Sequence, residues 1–140
     1  MKVSESQYCQ CMYFVSNAFA RKMSKLAEEA WKPVGLSPSH AYLLMMAIRR
    51  PGVQPSELVE ELQLTPSTIT RLIEKLEEKK LVVRTNEGKL TYVFATPKGQ
   101  QMKPEMEVCL INFYETYTSL LGQEDSSKLI KKMLKLADRV

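Results

Sequence analysis

The stretch from Leu64 to Gly99, LTPSTITRLIEKLEEKKLVVRTNEGKLTYVFATPKG, changes its hydrophobic period once, and that change restricts the fold more than any other feature of the chain. Thr65-Pro66 opens it with a hydroxyl able to cap a helix and a ring already near helical φ. Ile69, Leu72, Ile73 and Leu76 then recur at the spacing of a helix with one buried face. The other face carries Ser67, Thr68, Thr70, Arg71 and Lys75, which are hydroxyls, a guanidinium and an ammonium. After Lys80 the pattern falls to period two with β-branched residues, in Leu81-Val82-Val83-Arg84 and again from Leu90 to Phe94. Thr85 to Lys89, with Asn, Gly and Lys, reads as the hairpin tip between them. A helix with a small polar, basic face followed by a basic-tipped hairpin is a winged-helix arrangement. The helix suits a major groove, and the hairpin can reach the phosphates or minor groove beside it.

The remaining elements follow from caps and stripes. Residues from about Ser6 to Trp31 read as one long helix, with Tyr8, Met12, Val15, Phe19, Met23, Leu26 and Ala30 as a near-heptad apolar stripe. Lys32-Pro33-Val34-Gly35 ends it. Ser37-Pro38 starts a helix through AYLLMMAI that is apolar on every side and belongs at the buried centre. Gln54-Pro55-Ser56-Glu57 opens a short helix with Leu58, Val59 and Leu62 inward, and Gln63-Leu64 connects it tightly to the Thr65 helix, completing a helix-turn-helix. Thr96-Pro97 starts another long helix, striped by Met102, Met106, Cys109/Leu110, Phe113, Tyr117 and Leu120/Leu121, which Pro104 bends or frays. Gly122 closes it, and Asp125 or Ser126 caps a final amphipathic helix using Leu129, Ile130, Met133, Leu134 and Ala137. The fold class is therefore mainly α with a small β-hairpin wing. One winged-helix domain is expected over 1–140, with a winged helix-turn-helix at 36–99 and long flanking helices at 1–33 and 100–140. Those flanking stripes hold more apolar surface than the small core can cover, which points to packing against a second copy.

Charge is distributed in the same sense. The net charge is only +4, but seven Lys/Arg between Thr65 and Gly99 face four Glu, so most of the excess lies in about a quarter of the chain. The longest apolar run, Ala41 to Ile48, is too short to span a bilayer, and MKVSESQYCQCM lacks the apolar centre of a signal peptide. Three cysteines make no disulfide scaffold. A cytoplasmic protein without membrane contact is expected. No Ser/His/Asp set, paired carboxylates or glycine-rich phosphate loop suggests catalysis, and no cofactor or metal is implied.

With these residues in view, the chain resembles the MarR family of bacterial transcriptional regulators. The resemblance is most specific in LVEELQLTPSTITRLIEKLEEKKLVVR and in Ala95-Thr96-Pro97-Lys98-Gly99, similar to that family's helix-starting LT-x-x-G. It implies a homodimeric regulator, usually a repressor, on pseudo-palindromic double-stranded DNA, released by a small phenolic or lipophilic effector or by thiol oxidation. By position, Ser67, Thr68, Thr70 and Arg71, with Pro66 leading the helix, would enter the major groove. Lys75 would lie toward the phosphates, Arg84 at the base of the wing, and Asn86 and Lys89 near its tip. The family has Gly where this chain has Lys80, so Lys80 must accept a left-handed conformation or a different cap. The family's wing also carries an Asp-x-Arg that is missing here. Lys89 is the basic substitute at the tip, which favours phosphate contact over minor-groove reading.

Other features have weaker alternatives. A branch of the family senses organic peroxides through one cysteine early in the first helix, hydrogen-bonded to tyrosines. Cys11, on the apolar stripe, or Cys9, with Tyr8, Tyr13 and Tyr42, is the candidate redox set. Residues two apart on a helix diverge by about 200°, so these two cysteines suit neither a disulfide nor a shared metal. Buried Cys is more often a small hydrophobe, the reading for Cys109. Trp31, His40 and Met45 are the candidate effector pocket; core packing or a surface helix start is the plainer account. A winged-helix protein-interaction module without a DNA target is the alternative function, discriminated by whether the Ser67–Lys75 face meets a protein.

Overall fold

The computed structural model describes residues 1–140. Its chain forms α1 (Met12–Trp31), α2 (Pro38–Arg49), α3 (Pro55–Leu62), α4 (Pro66–Glu78), β1 (Val82–Glu87), β2 (Leu90–Ala95), α5 (Pro97–Gln101), α6 (Lys103–Leu121) and α7 (Gln123–Ala137). These residues fall into two compact units, Trp31–Cys109 and Met1–Ala30 with Leu110–Val140.

In the Trp31–Cys109 unit, four helices open with the same device. Ser37, Gln54, Thr65 and Thr96 stand at the N-caps, each followed by Pro at the first helical position. The hydroxyls of Ser37, Thr65 and Thr96 accept from the N–H groups of His40, Thr68 and Gly99. At Gln54 the roles reverse, and Glu57 Oε2 accepts from the Gln54 N–H at 2.8 Å. The all-apolar α2 lies at the centre as its sequence requires, burying Ala41, Leu43, Leu44 and Ala47 and packing on α3, α4, α5 and β2. Ile69, Leu72, Ile73 and Leu76 of α4 meet it, and Leu81, Val82 and Val93 close the core. Burying such a Leu or Ile contributes roughly 1.5–3 kcal/mol.

β1 and β2 pair antiparallel from Val82↔Ala95 to Glu87↔Leu90. The hairpin is thus longer and its tip tighter than the expected Thr85–Lys89 loop. Strand pairing continues to Glu87, and the turn is Gly88-Lys89 alone, with Gly88 at φ 61 in the left-handed first position that such turns favour. A single bridge, Val53↔Val93, adds a third segment at the hairpin's base. Lys80 does take the left-handed conformation, at φ 61, and Gln63 does the same at φ 54 to end α3. Gly99 is set by approach: a Cβ there would lie 2.2 Å from Leu81 O and 3.1 Å from Leu44 Cδ1. The start of α5 can dock on the Leu81 backbone only without a side chain.

Three boundaries differ from expectation, one within Trp31–Cys109, the break before Lys103, and two in the unit of Met1–Ala30 with Leu110–Val140. The first long helix begins at Met12 rather than near Ser6. Val3–Glu5 is a 3₁₀ turn, and the Ser6 hydroxyl accepts from the Tyr8 N–H at 3.1 Å, one of the local bonds by which serine competes with helix. Cys9 and Cys11 therefore precede the helix. The helix after Thr96 is two helices, because Pro104 lacks the N–H and its ring would meet the carbonyl four residues back; the chain turns at Met102 and resumes at Lys103. The last helix is led by Gly122, at φ 87, with Glu124 and Asp125 in its first turn, not by Asp125 or Ser126. Ser126 instead donates its hydroxyl to Gly122 O at 2.6 Å. Ala18 and Ser126 are the buried residues of this unit.

Candidate nucleic-acid interface

The exposed side of α4 begins with a linked set of hydroxyls. Thr65 Oγ1 lies 2.9 Å from Thr68 Oγ1 and 3.3 Å from Ser67 Oγ. Thr70 Oγ1 donates to Pro66 O at 3.0 Å, so its hydrogen is committed to the backbone and its lone pairs face outward. Arg71 Nη2 reaches Thr68 Oγ1 at 3.5 Å, which leaves its remaining N–H groups for a partner outside the chain. Pro66, Ser67, Thr70, Arg71 and Lys75 are exposed and Thr68 is half-buried. No carboxylate occurs in α4 before Glu74, and the N-terminal helix end adds a positive partial charge. Farther along, Lys75 pairs with Glu78 at 3.4 Å. The upstream end is thus the uncompensated positive end, with Arg71 making no ion pair.

The wing is arranged less simply. Lys89 stands exposed at its tip. Asn86 turns inward along the ladder, its Oδ1 accepting from Thr91 Oγ1 at 2.9 Å. Arg84 Nη2 lies 2.7 Å from Glu77 Oε1, so its charge is matched within the fold. Sequence reading did not find Glu77. The available signal was period two, which puts Arg84 on the face of β1 that carries buried Val82 and therefore turns it toward the end of α4.

The remaining candidates separate. Trp31 is wholly buried, its ring edge-on to Tyr42 at 6.0 Å, and its Nε1 has no hydrogen-bond partner. Met45 is half-buried, as is His40, whose ring lies against the Ser37 hydroxyl. Burial lowers the His40 pKa below its usual value, and the charges of Lys79 and Lys75 lower it further. A separate apolar cavity of about 280 Å³ is lined by Phe19, Met23, Phe113, Tyr117, Ile130 and Met133, among others. Cys11 is exposed rather than on a buried stripe, Cys9 is half-buried, and both are free thiols. Burial, then Glu105, pushes the buried Cys109 thiol up, which suits a structural role. No group of three or more His, Cys, Asp or Glu is arranged to hold a metal, and no helix is long and apolar enough to cross a membrane.

Residues 34–89, which contain the α4 face and most of the wing, match the sequence profile of the MarR family. That match spans helices α2 to α4 and the first strand of the wing. Over nearly the whole chain the fold is similar to that of solved transcription regulators: the transcriptional repressor CouR, solved with p-coumaroyl-CoA, superposes with a TM-score of 0.83 at 18% identity, covering 97% of this chain and 98% of that one. CouR on a 23-mer DNA duplex gives 0.82 at 18% identity, covering 98% of each. Among curated proteins, the HTH-type transcriptional repressor MdtR of Bacillus subtilis is 26% identical over 72 residues, 51% of this chain and 46% of that one. A riboflavin kinase of Thermococcus kodakarensis is 41% identical over 54 residues, 38% of this chain and 26% of the kinase. The chain thus spans less than half the length of these curated relatives.

Proposed function

We propose that this chain is a non-enzymatic, cytoplasmic transcription regulator, a repressor, that binds pseudo-palindromic operator DNA as a homodimer. The observation that carries the reading is the α4 face: hydroxyls and Arg71 at a helix start free of carboxylates, on a helix whose opposite side is buried through Ile69, Leu72, Ile73 and Leu76. In it, the upstream end of α4 enters the major groove, where Arg71 reads a base edge and Pro66, Ser67, Thr68 and Thr70 fit closely against the duplex. Lys75 and the Lys89 tip meet phosphates. The exposed apolar side chains of α1, α6 and α7 supply the dimer contact, and two-fold symmetry sets the recognition helices about 34 Å apart. The likeness of residues 34–89 to the MarR family and of the fold to DNA-bound CouR supports this reading. Because a protein of the same fold was solved with p-coumaroyl-CoA, aromatic acyl compounds are the first effector class to screen.

Selection of duplexes from a random library at near-physiological salt tests the proposal. The expected result is a pseudo-palindrome with half-sites about ten base pairs apart, and Arg71→Ala erasing preference at one position per half-site at a cost of about 1–3 kcal/mol. Absence of enrichment, or full specificity in Arg71→Ala, would overturn it, and capture of a protein on the α4 face would favour an interaction module.

A further inference from the structure

The wing is tied to α4 at its root. The Leu81 N–H donates to Leu76 O at 2.9 Å, and Leu81 and Val82 are buried. From Val83 to Glu87 every residue of β1 is exposed, so beyond Val82 burial no longer holds this strand. The Arg84–Glu77 ion pair, 2.7 Å and half-exposed on both sides, is the last tie between β1 and α4 before the hairpin runs out to Lys89.

From this geometry we infer that Glu77 is a positioning residue for DNA binding: by holding Arg84 it fixes the angle at which the wing leaves α4, and so where Lys89 meets the duplex. Arg84 is then an internal strut and not a phosphate contact. The inference rests on the DNA-binding reading above and assigns a role within it to a carboxylate, the group least expected to aid binding to a polyanion. That sign makes it testable. Removing a carboxylate near DNA should by itself tighten binding, whereas removing a positioning group should weaken it.

The experiment compares Glu77→Gln, Arg84→Gln and the exchanged pair E77R/R84E by operator affinity across a salt series and by amide hydrogen exchange over residues 83–91 of the free protein. Each single change is expected to weaken operator binding by about fivefold, the scale of a partly exposed ion pair. Exchange in the wing should quicken, and the exchanged pair should recover most of the affinity. The salt slope of Arg84→Gln should equal that of the unaltered protein, because no phosphate contact is lost. A slope reduced by about 0.9 with unchanged exchange would make Arg84 a phosphate contact and overturn the inference. Tighter binding by Glu77→Gln would overturn it as well. If the unaltered protein selects no duplex, the DNA reading fails by itself; the exchange data still decide the strut, which quickened wing exchange supports and unchanged exchange refutes.

Discussion

All eleven of the largest fully buried side chains, from Trp31, Leu43 and Leu44 to Met106 and Cys109, belong to the Trp31–Cys109 unit; the other unit has none. Its helices are no poorer in apolar residues, yet Met12, Tyr13, Ile111, Leu120, Leu129, Ile130, Met133 and Leu134 are exposed. In the first unit short helices and a hairpin wrap an apolar centre, α2, from several sides. In the second, long amphipathic helices each have an apolar face that this chain leaves largely open. An amphipathic stripe thus guarantees a partner surface but not that the same chain supplies it. A region whose apolar side chains are buried and a region whose apolar side chains stay exposed can be built from the same residue types.

Matched truncations should sharpen this contrast most. Leu44→Ala empties a fully buried site and should cost about 3 kcal/mol by urea denaturation. Leu134→Ala, at a site 62% exposed, should cost less than about 0.5 kcal/mol at concentrations where the chain is monomeric. Equal costs would break the comparison. Next in size is Gly99→Ala, whose new methyl would meet Leu81 O; a loss of about 2 kcal/mol in the same assay is expected. Leu134→Glu tests the open unit: analytical ultracentrifugation should show dimer affinity reduced about 30-fold, the scale of an interface hot spot. A smaller gain, about 0.5–1 kcal/mol, is expected from Lys80→Gly, which removes a Cβ from a left-handed position at φ 61.

The smallest effect is the pH dependence from His40. Its folded pKa lies below the ordinary 6.5, so between the two values the unfolded chain holds the proton that the folded chain resists. Stability should therefore fall as pH drops below 6.5 and level off once the folded value is passed. His40→Gln should flatten that segment of a plot of urea midpoint against pH.

The order of elements and the four Pro-led helix starts were legible in the residues because a cap and a helical stripe act over three or four positions. The buried face of α4 was legible for the same reason, whereas the left-handed Lys80 was one of two alternatives, with a different cap, that the family resemblance left open. The late start of α1 was not, since Ser6 diverts its hydroxyl to a local turn within an otherwise helical pattern. Nor was the tight tip, where strand pairing extends through Thr85, Asn86 and Glu87, residues that taken singly suggest loop.

The sequence by itself determined the helix-turn-helix, the wing and the polar face of α4, all consequences of spacing and capping between near neighbours. Tertiary structure alone decided that Arg84 faces Glu77 and Asn86 faces Thr91, that Gly99 touches Leu81, and that one set of apolar stripes is buried while another stays open. Each depends on where separate segments meet in space, and packing rather than local preference sets that.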